Sequence, residues 1–208
     1  MRCLRWTSTL LLLQTLCFGL GQEPWEKPFA SWTDADAERV LSDSAWAKPV
    51  VFKLPRSSRS KAAQPWRTVR WESALPVQQA LRKKGIVPSV LDRQAYYAVA
   101  VLGSPGASGK SYAEELDHLG RPKAWLKAPN GEVVASVDVK LLEEDQRTPV
   151  MVFLFPRTID FGEPRVFRLP PGIILHARKV DFAAHIGSME IHESFPLQNM
   201  FYLGKLEL

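Results

Sequence analysis

Hydrophobic positions change their spacing along this chain, and each change marks an element. Ala37, Val40, Leu41 and Ala45 recur at three- and four-residue steps, the stripe that a helix buries on one face. Thr33 precedes them as an N-cap, and Asp34 and Asp36 place negative charge in the first turn. The predicted helix ends between Trp46 and Pro49, and Val50, Val51, Phe52 and Leu54 follow as a strand. Residues 56–65 are rich in Ser, Ala, Lys and Arg without an apolar period, which predicts a loop. Strand spacing returns at 66–72. Ser73 and Pro76 then open a short helix carrying Val77, Ala80 and Leu81, and Gly85 stops it.

Residues 94–102 are apolar at both phases of a strand, as expected of one covered on both faces. A Gly/Ser/Pro loop at 103–109 leads to a predicted helix at 112–119. Sheet then dominates. Asn130-Gly131 between 123–128 and 133–142 is a strong hairpin signal, because both turn residues tolerate positive φ. Further strands are predicted at 150–155, 165–169, 173–178, 181–186, 189–195 and 199–207. The predicted class is α+β, with short helices in the N-terminal half and an antiparallel β-meander or sandwich in the C-terminal half.

The first 21 residues follow a different rule. Arg2 and Arg5 flank a short apolar run, and Gly19 and Gly21 stand at the −3 and −1 positions before Gln22, the pattern of a cleavable signal peptide. The run is broken by Thr7, Ser8, Thr9, Gln14 and Thr15, and a membrane span needs about 20 apolar residues. Retention as an anchor is the alternative to cleavage. Leu16, directly before Cys17, is not the small residue that lipid attachment requires. The expected organisation is a signal peptide at 1–21, an extended arm at 22–32 held by Trp25, Phe29 and Trp32, and one α+β domain at 33–208, with 33–121 and 122–208 as candidate lobes. The mature protein would be exported, to the periplasm or the extracellular space, with no later transmembrane span.

That leader holds both cysteines, Cys3 and Cys17, so the mature chain would have neither disulfide nor thiol. Losing Arg2 and Arg5 lowers the formal net charge from +5 to +3, a modest balance. Three segments, 32–47 (WTDADAERVLSDSAWA), 69–81 (VRWESALPVQQAL) and 186–208 (IGSMEIHESFPLQNMFYLGKLEL), resemble a family of uncharacterised exported bacterial proteins found mainly in acidobacteria. The resemblance implies export and one continuous architecture. It implies no site residues.

Candidate chemistry therefore comes from the residues. Residues 104–111 (SPGASGKS) approach a phosphate loop, but Ser104 occupies the position of the first glycine, so no nucleotide is expected. No G-x-S-x-G elbow is present for a hydroxyl nucleophile. Asp160 with Glu163, and Glu143, Glu144 and Asp145, fall in predicted turns where carboxylates are ordinarily solvated. His118 and His176 stand alone.

Two constellations remain. If Gly187-Ser188 is a two-residue turn, His185 faces Glu190 and Ala183 faces His192, bringing His185, Glu190 and His192 to one face. Two imidazoles and a carboxylate suit zinc, with a position left open for water, and a metal-dependent hydrolase or metal-binding protein follows as the alternative function. The bland counterpart is a wet strand face. Arg56, Arg59, Lys61, Arg67 and Arg70, interleaved with Trp66 and Trp71, would suit an acidic polymer. Its bland counterpart is a solvated loop beside core tryptophans. The leading expectation is a non-enzymatic binding or structural protein of the cell envelope or extracellular space.

Overall fold

The computed structural model describes residues 23–50, 66–87, 94–103, 121–129, 131–144, 148–157, 179–186 and 189–208. The predicted helix at 112–119, the strands at 165–169 and 173–178, and the loops at 56–65 and 104–109 lie outside them.

Helix α1 (Asp34–Ser42) begins where Thr33 and Asp36 satisfy each other: the Asp36 amide donates to Thr33 Oγ1 at 3.1 Å, and the Thr33 amide donates to the Asp36 carboxylate at 2.6 Å. The helix stops earlier than its apolar stripe suggests. Ser44 Oγ donates to the Val40 carbonyl and accepts from the amides of Trp46 and Ala47, so the backbone turns away after Asp43. Ala45 is still buried, outside the helix. The next strand is β1 (Ala47–Pro49); of the strand expected at 50–54, only Val50 lies within the described residues. Upstream, the expected extended arm instead folds into two 3-10 turns, Pro24–Glu26 and Phe29–Ser31. Pro24 opens the first turn and Pro28 caps the second, each with φ preset near the required value.

Strand β2 (Trp66–Trp71) and helix α2 (Leu75–Lys83) follow, and Gly85 turns the chain out of α2 at φ 74°. Strands β3 (Tyr96–Gly103), β4 (Lys123–Lys127) and β5 (Val133–Ala135) come next, with Gly131 at φ 88° between the last two. The expected continuous strand at 133–142 is two strands in two sheets. After β5, the Ser136 amide donates to the Ala124 carbonyl of β4, whereas the Val137 amide donates to Leu154 of the other sheet. Strand β6 (Asp138–Glu144) then pairs with β7 (Thr148–Pro156). Strands β8 (Lys179–Ile186) and β9 (Met189–Pro196) form the long hairpin. The expected strand at 199–207 is a short hairpin of β10 (Phe201–Tyr202) and β11 (Lys205–Leu206), turned by Leu203 and Gly204 at φ 49° and 78°.

Among the described residues, all pairings are antiparallel, in a five-stranded sheet β1-β2-β3-β7-β6, a four-stranded sheet β5-β4-β8-β9 and the β10-β11 pair. The five-stranded sheet joins β1–β3 to β6 and β7, so the candidate lobes 33–121 and 122–208 share it. The fold is a mixed α+β arrangement, mostly β, with two α-helices among the described residues.

Trp71, Val99, Val101, Phe153 and Phe155 of the larger sheet form one buried cluster with Leu126, Phe182, Ile191 and Phe195 of the smaller. Ring centroids of Phe153 and Phe182 stand 5.9 Å apart, and those of Trp71 and Phe195 5.5 Å. Val40, Val77, Leu81 and Trp32 extend this core, and Trp32 meets Tyr202 edge-on. Trp46 Nε1 donates to the Glu207 carbonyl at 2.8 Å, tying the C-terminal hairpin to the start of β1.

Candidate ligand-binding face

Period-two alternation positions the site. In β8, Val180, Phe182, Ala184 and Ile186 are buried, leaving Lys179, Asp181, Ala183 and His185 on the opposite face. Register then aligns the neighbours. Ala183 pairs with Trp125 and His192, Asp181 with Lys127 and Ser194, and His185 with Lys123 and Glu190. The expected pairing of β8 with β9 is the one observed, and paired residues share a face.

At one end of this face, Glu190 Oε1 accepts from His192 Nε2 at 2.8 Å and lies 3.3 Å from His185 Nε2. The His192 and His185 hydrogen bonds hold the Glu190 carboxyl below the ordinary glutamate range. All three side chains are more than half exposed, at 53%, 60% and 64% for His185, Glu190 and His192. Both Nε2 atoms point at the same carboxylate oxygen, the atoms that a metal would need. Among the described residues, no group of three or more His, Cys, Asp or Glu is arranged to hold a metal ion.

The centre of the face is more distinctive. Trp125 is half-buried, and its ring meets the His185 ring edge-on at 5.1 Å. Ala183 beside it is too small to fill its position. The result is a concavity of about 590 Å³ bordered by Trp125, Lys127, Asp181, His185, His192 and Ser194. Asp181 accepts from the Ser194 hydroxyl and from Lys179 Nζ at 3.0 Å. Burial opposes the Asp181 charge, but Ser194 and Lys179 outweigh it, and the pKa falls below the ordinary aspartate value. The site thus offers an apolar ring, fixed donors and fixed acceptors on one rigid surface.

Sequence reasoning missed Trp125 as a site residue. It also missed Glu193, which pairs with Phe182 and so takes the inward phase on β9, the outermost strand of this sheet among the described residues. Burial pushes the Glu193 carboxyl up, against the opposing pull of Lys48. Its signal was a glutamate in the apolar phase of Met189, Ile191 and Phe195. An inward charge at an open edge discourages pairing with another chain.

The basic constellation is divided. Arg56, Arg59 and Lys61 lie outside the described residues, and only the backbone of Arg67 is described. Arg70 is 1% exposed, so it is removed from any exposed basic surface. Its guanidinium bonds Glu72 at 2.7 Å and also Glu144. Burial works against the Arg70 charge, but the two carboxylates outweigh it and raise its pKa. Trp32, expected to anchor the arm, is buried in the core, whereas Trp25 borders a separate polar concavity of about 660 Å³ with Arg39, Asp43, Lys48, Asn199 and Phe201.

No family model matches the chain, and no curated protein or solved structure shows significant similarity to it. Among the described residues, no helix is long and apolar enough to cross a membrane.

Proposed function

We propose that this chain is an exported, non-enzymatic binding protein that takes a hydroxyl-rich ligand, such as an envelope or extracellular glycan, on the outer face of the β5-β4-β8-β9 sheet. The observation that carries this reading is the Trp125 ring standing half-open beside Ala183, in a concavity of about 590 Å³ rimmed by polar side chains. A ring face supplies apolar contact to the C–H face of a sugar. Asp181, Ser194, His192 and Lys127 supply acceptors and donors for its hydroxyls. Their common sheet keeps these groups in fixed relation, so little ordering is needed on binding. The leader pattern at 1–21 supports export.

The test is binding of the mature chain to an array of neutral, amino and acidic oligosaccharides. Retention should fall by more than tenfold in Trp125→Ala, since truncating an aromatic anchor typically costs about 2 kcal/mol or more. It should also fall in Asp181→Ala. A blank array, or retention unchanged in both variants, overturns the assignment. Binding abolished by a chelator and restored by zinc would instead assign the face to His185, Glu190 and His192 as metal ligands. Mass spectrometry of natively produced protein should find a chain beginning at Gln22, and a cytosolic species beginning at Met1 overturns export.

A further inference from the structure

We infer that the cleft along the open flank of the two sheets, between β6 and the β4–β5 hairpin, binds a single-chain anionic amphiphile of the fatty-acid type. Among the described residues, strands β5 and β6 are the outermost strands of different sheets, and the chain passes between them at Ser136 and Val137. That crossover leaves a groove of about 640 Å³, a volume typical of small-ligand sites.

The walls of the groove are mostly aliphatic. Val139 pairs with Phe153 and Leu141 with Met151, so both take the core-facing phase of β6, yet both remain partly exposed. Met151 and Ala124 are buried and border the cleft, and Val137 stands 60% exposed at its rim. Core-phase side chains left open in a sandwich are incompletely covered apolar surface, which gains free energy when an alkyl chain removes it from water.

Charge at the mouth selects the head group. Arg121 and Lys123 border the cleft and are exposed. Among the described residues, the one carboxylate lining it, Asp138, accepts the Val139 amide at 2.8 Å. Two cations against one anchored anion favour a carboxylate over a cationic or neutral head. This site does not depend on the glycan reading, although Trp125 borders both concavities. Its test therefore leaves Trp125 unchanged.

The experiment is calorimetric titration of the mature chain with dodecanoate below its micelle concentration, with dodecyltrimethylammonium as the head-group control. Dodecanoate should bind at one per chain and at least tenfold more tightly than the cation. Val137→Asp should weaken it at least tenfold. The double variant Arg121→Glu, Lys123→Glu should erase the preference over dodecyltrimethylammonium. If Val137→Asp melts below the parent, the double variant decides, because both of its positions are exposed. Equal binding of the two amphiphiles, or dodecanoate affinity unchanged in the variants, overturns the inference. So does a groove that ignores dodecanoate but pairs an extended peptide along β6.

Discussion

The two sheets present opposite surfaces on the sides that face away from the shared core. On the five-stranded sheet, Ala98, Ala100, Leu102, Val150, Val152 and Leu154 form a second buried apolar cluster. Arg70, paired with Ala100, joins this dry face and is held by Glu72 and Glu144. On the four-stranded sheet, the corresponding face carries Lys127, Asp181, His185, Glu190 and His192, all at least partly exposed. The contrast separates a face open to solvent from one closed to it. It also shows that the same type of residue has different energetics on each face. Glu144 on the dry face balances a buried guanidinium, whereas Glu190 on the wet face shares an exposed oxygen with two imidazoles.

Arg70→Met should give the largest effect. It leaves Glu72 and Glu144 uncompensated in a buried setting and should destabilise the protein by about 3–5 kcal/mol in urea titration. A loss under about 1 kcal/mol would mean that the dry face is wetter than its burial indicates. Matched alanines give the next test. Ala100→Leu overpacks the dry face and should cost about 1–3 kcal/mol, whereas Ala183→Leu on the wet face should stay within about 0.5 kcal/mol. Equal losses at both positions would erase the comparison.

Acid titration is a finer probe. The Thr33 amide, and then Lys27, pull the Asp36 pKa from 3.8 to about 2. A carboxyl lowered in the folded state contributes stability that is fully present above its unfolded pKa and is lost as the pH falls through its folded value. Asp36→Asn should therefore flatten the stability curve as pH falls from about 4 to about 2, at α1 and independently of either sheet face. Glu190 is also lowered, with the same sign, but it is exposed on the wet face. Glu190→Gln should give the smallest change of the series, seen as a slight flattening on the acid side.

Much of this contrast was legible in the residues. The run at 94–102 is apolar at both phases, and β3 is buried on both faces. The segment at 181–186 alternates, and β8 is buried on one face only. The β8–β9 register followed from a two-residue turn and gave the pairings of His185 and His192 correctly. Three boundaries were not legible, because local hydrogen bonding or turn geometry overrode periodicity. Ser44 ended α1 inside an unbroken apolar stripe. Successive amides at Ser136 and Val137 bonded to different sheets with no turn residue to announce it. Leu203 and Gly204 folded back a segment that reads as one strand.

The order of side chains sets, without reference to the fold, which strand faces want water, where helices begin and which partners β8 and β9 choose. These are local properties, governed by two- and four-residue spacing and by turn chemistry. The fate of single residues belongs to three-dimensional packing. Arg70 reads as one of five cations in a basic stretch, yet its strand phase points it to the buried face, where Glu144, distant in sequence, neutralises it. Trp125 lies in a segment that reads only as one arm of a hairpin, yet Ala183 opposite it leaves its ring open. Neither outcome is encoded within a short window, because each depends on a neighbour brought across by a different strand.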